Sequence, residues 1–393
     1  MSERELVLVA NARMPSQRAQ SLQLAQMAAA FERQGARTTL LYARRVPTPP
    51  LPAGQDLFDY YGAAPGPRPR VEAVACADWI DRVARPLQFV PARVQELSFA
   101  RNAARRVRDA FPRACVYSRE VETARLLAGQ GREALYLEVH RVPGGRLRRR
   151  WLAQTAPACR GIVAISGGVR ADLEELGVAP EKIRVEHDAV EAGRFEAAPS
   201  REEARATLGV PADAPVVVYA GGLLAWKGVD LLIGAARHLP AVTFLVVGGM
   251  DADVERLRGL AAGLANVRVE GFRPPADVPT YLAAGDVGVV PNRSQPAISA
   301  RYTSPLKVFE SQAAGLPLVA SDLPSLREIL APETEAVFVP PDDEEELAAG
   351  IARLLADDEL RAAIAGRGRE RAAEHTWDAR ARRLIEWMDS LAA

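Results

Sequence analysis

Lysine is almost missing from this chain. Of fifty basic residues only Lys182, Lys227 and Lys307 are lysine, the rest being arginine. Where arginine carries nearly all the positive charge, a retained lysine marks a place that suits a compact ammonium better than a planar fork. Cysteine is scarce too: Cys76, Cys115 and Cys159 are odd in number and scattered at no ligand spacing. That argues against a disulfide framework and a zinc site, and for small core residues in a reducing compartment. Fifty acidic residues cancel the fifty basic ones, so the whole chain makes no case for nucleic acid. Polar MSERE runs straight into the short apolar stretch Leu6–Ala10, and no apolar run approaches bilayer length. The expectation is a cytoplasmic protein, with peripheral contact at the inner face of a membrane left open.

What the chain does contain is alternation. Its 393 residues exceed what one core usually supports, so two domains are expected. LVLVA reads as a buried strand, Ser21 to Arg33 as a helix ended by Gly35, and TTLLYA as the next strand: a βαβ unit. Pro47 to Arg70 reads as an irregular excursion, Val94 to Arg108 as an Arg-rich helix. ACVYS, ALYLEVH and GIVAIS continue the strands, and the Ala/Pro-rich segment 192–200 reads as a linker. VVVYA restarts the pattern, with further strands at 243–247, 267–271 and 287–291. The expected division is an N-terminal domain 1–195, a C-terminal domain 200–374, and a last helix 375–393 bearing Trp377, Ile385 and Trp387 that packs back on the first domain. Both domains are read as doubly wound α/β.

The chemistry concentrates in PNRSQPAISARYTSPLKVFESQAAGLPLVASDLPSLREIL, residues 291–330. It reads as a loop, a helix starting near Pro305, a strand over 317–321 and a second helix opening at Leu323. The free N–H groups of Ser304 to Lys307 make that helix start an anion site. The Lys307 amine and the Glu310 carboxylate one turn inside then suit a phosphate beside a hydroxyl-bearing neighbour such as ribose. An ordinary amphipathic helix with solvated Lys and Glu is the competing reading. Upstream, Gly221 and Gly222 allow close backbone approach, and Lys227 before the next helix suits a diphosphate. His140 closes a strand at the sheet edge where α/β folds place ligands. The basic run Gly144 to Trp151 suits an anionic acceptor or lipid headgroups, although a solvated helix start explains it as well. Asp251 and Asp253 spell a DxD, read here as two carboxylates complementing a helix dipole and not as a metal site.

These motifs resemble family 4 of the retaining glycosyltransferases, also called glycosyltransferase group 1. The resemblance covers most of the chain. MPSQRAQSLQLAQMAAAFERQGARTTLL, YLEVH, IVAIS and VEHDAVEAGRF are similar to that family's markers in the first half. YAGGLLAWKGVDLL and SPLKVFESQAAGLPLVASDLPSLREIL are similar to its phosphate-lysine segment and its signature. The resemblance implies the GT-B fold, two Rossmann-like domains facing across a cleft. It further implies that Lys227 contacts the donor diphosphate and that Glu310 takes the ribose hydroxyls. Backbone N–H groups around Ser304 and Leu306, on either side of Pro305, would hold the distal phosphate, with Arg301, Tyr302, Thr303 and Lys307 lining the same loop. Phe272 would touch the base and His140 would face the transferred sugar. The chain departs from the family twice: its phosphate arginine is Gly222 here, and the first glutamate of its paired motif is Tyr302. Arg301 or Arg293 are candidates to replace the lost cation.

The activity so implied is transfer of a sugar from a nucleotide-diphosphate donor, foremost a UDP-sugar, to an acceptor hydroxyl with retention. Lys227 and the helix start would stabilise the leaving phosphate, with Lys307 a third candidate, and no metal or other cofactor is called for. The residues do not choose among uridine, guanosine and adenosine, and the acceptor, whether carbohydrate, lipid-linked or small molecule, is left open. Epimerases of the same fold and a non-catalytic nucleotide-sugar binder are the alternatives, the latter motivated by Gly222 and Tyr302.

Overall fold

The computed structural model describes residues 4–392. The chain forms two units, Met1–Glu186 with Trp377–Ala393, and His187–Thr376. The first is built on strands β1 (Arg4–Ala10), β2 (Ala36–Arg44), β3 (Arg70–Ala75), β4 (Cys115–Ser118), β5 (Leu135–Val139), β6 (Gly161–Ala164) and β7 (Ile183–Val185). They form one parallel sheet in the order β3-β2-β1-β4-β5-β6-β7. The apolar runs of β1, β5 and β6 become interior strands because helices cover both faces of such a sheet. Edge strand β3 is largely exposed or half-buried. Leu8 of β1 lies between Leu40 of β2 and Tyr117 of β4.

The second unit repeats the plan with β8 (Val216–Ala220), β9 (Thr243–Val247), β10 (Val267–Gly271), β11 (Val287–Val290), β12 (Leu318–Ser321) and β13 (Ala336–Val339). Their order is β10-β9-β8-β11-β12-β13, again parallel. In each sheet the winding reverses beside the first strand, between β1 and β4 and between β8 and β11. Loops leaving neighbouring strands there diverge to opposite faces and open a crevice at the strands' C-terminal ends.

Four sequence expectations change. The first domain does not run to residue 195: Val190 donates its N–H to the His375 carbonyl, and Val190 and Phe195 are buried in the second unit's core. Hence 192–200 is not a free linker, since Gly193–Glu196 forms a helical turn pinned by Phe195. The excursion 47–70 is not wholly irregular either. Asp56 caps a turn of helix, Leu57–Tyr60, and the buried Tyr61 hydroxyl bonds both the N–H and the carbonyl of Ser16, at 2.7 and 2.9 Å.

The last helix spans Trp377–Ser390 and packs on the Ala19–Arg33 helix of the first unit. It does not begin at His375, because His375 and Thr376 pair with Val190. The Tyr136 hydroxyl donates to the Met388 carbonyl at 3.1 Å, and Arg380 is completely buried. A Cβ at Gly161 would lie 2.5 Å from the Trp387 ring, so β6 needs glycine there for the helix to seat.

Candidate functional site

In the second unit, the segments that leave β8 and β11 at the reversal point carry most of the candidates. After β8 the backbone turns through Gly221 (φ +148°) and a single 3-10 turn, Ala225–Lys227. Gly228 follows with φ +68°, and a Cβ there would sit 1.7 Å from the Pro291 carbonyl oxygen. Glycine is therefore required for the lysine turn to lie against the loop after β11. In that loop Ile298–Tyr302 forms a π turn that returns through Thr303 to the Leu306–Ala314 helix, with Pro305 at its cap. No side chain caps that helix, so its first N–H groups keep their partial positive charge for a ligand.

Lys307 is 93% buried by its 7% exposure, and its Nζ lies 3.6 Å from the centroid of the Tyr219 ring. It has no hydrogen-bond partner. The amine is turned toward the glycine loop: a Cβ at Gly221 would lie 3.3 Å from Nζ, and the Tyr219 hydroxyl donates to the Gly222 carbonyl at 2.6 Å. Lys227 Nζ lies 3.9 Å from the Trp226 ring centroid. Its surface is only partly buried, yet the amine is enclosed closely enough that burial pushes it down to about 7, against the pull of Asp188. Burial, then the charge of Lys227, hold Lys307 well below the usual amine range, with Glu310 opposing. The two amines thus disfavour each other's charge with no ion pair among the described residues, an arrangement that an incoming polyanion would relieve.

Glu310, one turn inside the helix, is pushed up by burial and drawn back by Arg194 and Lys307. Ser304 is buried, and its hydroxyl accepts the Asp188 N–H at 2.8 Å, which leaves the backbone ahead of the helix firmly placed. Leu306 and Phe272 are half-buried, the latter directly after β10. The exposed Arg301 guanidinium stacks 5.6 Å over the half-buried Tyr302 ring. Arg293, a sequence candidate for the missing cation, is committed to Asp230 and to Asp342, the latter at 3.3 Å. The amine beside the glycine turn is instead Lys307, close to Gly221. Asn292 is wholly buried with neither end of its amide bonded, a further polar group in the segment after β11.

His140 belongs to the first unit, at the end of β5. Its Nε2 is 2.5 Å from Glu138 Oε1. The same carboxylate accepts from the Tyr117 hydroxyl, from Gln23 at 3.3 Å and from Arg380 at 3.4 Å. Burial pushes Glu138 up, but Arg380 and His140 outweigh it and hold it well below the usual carboxylate range. Burial and Arg119 push the imidazole down to about 4, so it is neutral at physiological pH. With Glu138 ionised, Nε2 carries the proton and Nδ1 is an acceptor, a tautomer assigned from this bond. Residues i and i+2 of a strand share a face, so Glu138 could have been paired with His140 from spacing alone. Arg194 carried no such signal, since 192–200 reads as linker.

Asp251 and Asp253 head the Asp251–Leu260 helix. Among the described residues no group of three or more His, Cys, Asp and Glu is placed to hold a metal. No helix is long and apolar enough to cross a membrane, again among the described residues.

Residues 214–357 match the family model described as Glycosyl transferases group 1. A D-inositol 3-phosphate glycosyltransferase of Xylanimonas cellulosilytica is 29% identical over 242 residues, 60% of this chain and 55% of that protein. The chain spans about half the length of the curated relatives it matches. Among solved structures, sucrose-phosphate synthase of Thermosynechococcus elongatus superposes with a TM-score of 0.79 at 20% identity, covering 99% of each chain. HepE of Anabaena in complex with UDP-glucose gives 0.75 at 18% identity, covering 98% of this chain and 99% of that one. At those identities the likeness shows the fold, the two Rossmann-like units of GT-B. With that fold, the span from β8 to β13 is similar to the group 1 glycosyl transferases.

Proposed function

We propose that the protein transfers a sugar from a nucleotide-diphosphate sugar to an acceptor hydroxyl, with retention at the anomeric carbon. The observation that carries this is the pair of amines, Lys227 and the unbonded, buried Lys307, in no ion pair among the described residues beside the uncapped start of the Leu306–Ala314 helix. As the bond from the anomeric carbon to the diphosphate oxygen breaks, charge grows on that oxygen, and these groups are aimed at such a charge. The acceptor oxygen bonds to the anomeric carbon on the face the diphosphate leaves, and its proton passes to the departing phosphate oxygen. Nδ1 of His140 is available to accept from a sugar hydroxyl. HepE of Anabaena is solved with UDP-glucose on the same fold, so UDP-sugars head the donor candidates.

Calorimetric titration with UDP, GDP, ADP and their sugars, with and without divalent metal, should give metal-independent binding of one nucleotide series. Lys227→Ala should keep the fold and lose on the order of 10² to 10³ in turnover. Unchanged turnover, or a product of inverted configuration by NMR, would reject the assignment; donor interconversion without nucleotide release would mark an epimerase.

The acceptor side has a feature of its own. The Phe89–Ala110 helix connects β3 to β4, so in a parallel sheet it starts at the same edge as His140. Its outer face begins with exposed Phe89 (72%), Val90, Val94 and Leu97, and continues with exposed Arg101, Arg105 and Arg108. An apolar stretch continued by arginines on one helix face suits an anionic lipid surface, which favours a lipid-borne acceptor. Flotation with phosphatidylglycerol vesicles should capture the protein, and Phe89→Asp should release it without a change in thermal unfolding.

A further inference from the structure

We propose that Arg194 is a positioning residue for the nucleoside half of the donor, holding the Glu310 carboxylate and the loop after β10 in a single frame. The inference rests on the reading that Glu310 takes the ribose hydroxyls. Arg194 lies in the helical turn Gly193–Glu196, and its side chain is only 12% exposed. One arm of the guanidinium, Nη1, lies 3.9 Å from Glu310 Oε1. The other, Nη2, donates to the Pro275 carbonyl, in the loop that begins with Phe272. Its carbon sits 5.5 Å from the centroid of the Phe195 ring, and Phe195 is anchored in the core.

The separation from Glu310 matters. At 3.9 Å the guanidinium supplies field without a short bond, so both carboxylate oxygens stay available to accept from a ligand. Burial alone would push that carboxyl toward its protonated form, and Arg194 and Lys307 oppose this. An ionised carboxylate accepts from two neighbouring hydroxyls at once, whereas a protonated one must spend a position as donor. The second arm ties the same group to the loop carrying Phe272, so base contact and ribose contact are set by one rigid, planar fork. A lysine has one ammonium and cannot reach both.

The test is the preference of the protein for UDP over 2′-deoxy-UDP by isothermal titration, which a merely structural arginine would not move. The wild type should prefer the ribonucleotide. Glu310→Gln and Arg194→Gln should each reduce that preference by about tenfold, the scale of one charged hydrogen bond, and the double variant should lose little more. Arg194→Lys, which keeps the charge and loses the Pro275 arm, should fall between and carries the test if Arg194→Gln does not fold. If Glu310→Gln loses the preference and the folded Arg194 variants retain it, the inference fails while the ribose reading stands. If the wild type shows no preference, or Glu310→Gln keeps it, the ribose reading itself fails and takes this inference with it.

Discussion

At the end of β5 a histidine is fastened: Glu138 holds its ring, and Tyr117, Gln23 and Arg380 hold Glu138. At the corresponding edge of the second sheet two lysines have aromatic rings under their amines and, among the described residues, no ion-pair partner. Both arrangements are built on the same doubly wound plan. The difference lies in compensation: the first unit pairs its buried charges within the fold, and in the second the Lys307 amine is buried without a hydrogen-bond partner among the described residues. The first arrangement fits a group that must keep one tautomer and orientation. The second fits a site that binds a polyanion and must be poor at rest.

The largest test of this contrast is Arg380→Met. It leaves Glu138 buried without its principal cation, and removing one partner of such a pair costs about 3–5 kcal/mol. Hydrogen exchange at the amides of β5 should show that loss in the first unit, and a loss below about 1 kcal/mol would break the contrast. A smaller effect sharpens the other side. The Lys227 amine, ordinarily near 10.5, is pushed down to about 7 in the free protein, and a bound diphosphate raises it again. Above pH 7 binding must therefore take up a proton, so nucleotide affinity should fall by up to about tenfold per pH unit as pH rises. Proton uptake at pH 8, read from binding heats in buffers of different ionisation enthalpy, checks the sign. The same depression makes the unfolded chain the better proton binder between about 7 and 10.5, so this lysine's contribution to stability rises with pH across that window.

The smallest effect expected is on the fold of Lys307→Met. Replacing an unbonded buried amine by an apolar group of similar length should leave the ligand-free protein as stable or more stable by about 1 kcal/mol, while nucleotide affinity drops. Thermal unfolding without and with nucleotide separates the two. A clear destabilisation would mean that the amine is structural, like Arg380.

Much of this molecule is legible in its residues because parallel strands buried on both faces are written as unbroken apolar runs. LVLVA, YLEV, GIVA, VVVYA and VGVV all fall on interior strands. The glycines around Lys227 and the proline ahead of Lys307 mark the two ligand-edge segments for local reasons: a positive φ at Gly228, and a helix start at Pro305. The linker reading failed because Ala and Pro report local flexibility, and nothing local reports that Phe195 is buried in a core formed by strands further along the chain.

What the sequence determined by itself was the order of strands and helices, their βα repetition, and the residue types set at the C-terminal ends of the strands, since those follow from periodicity and backbone preference. Only the tertiary structure decided which charges are compensated. That Arg293 is spent on Asp230 and Asp342, that Lys307 stands unbonded over Tyr219, that Glu138 ties His140, and that Arg194 faces Glu310 all depend on distances between residues far apart in the chain. Coulomb and desolvation energies vary with those distances and with burial, and neither is set until the sheets have formed.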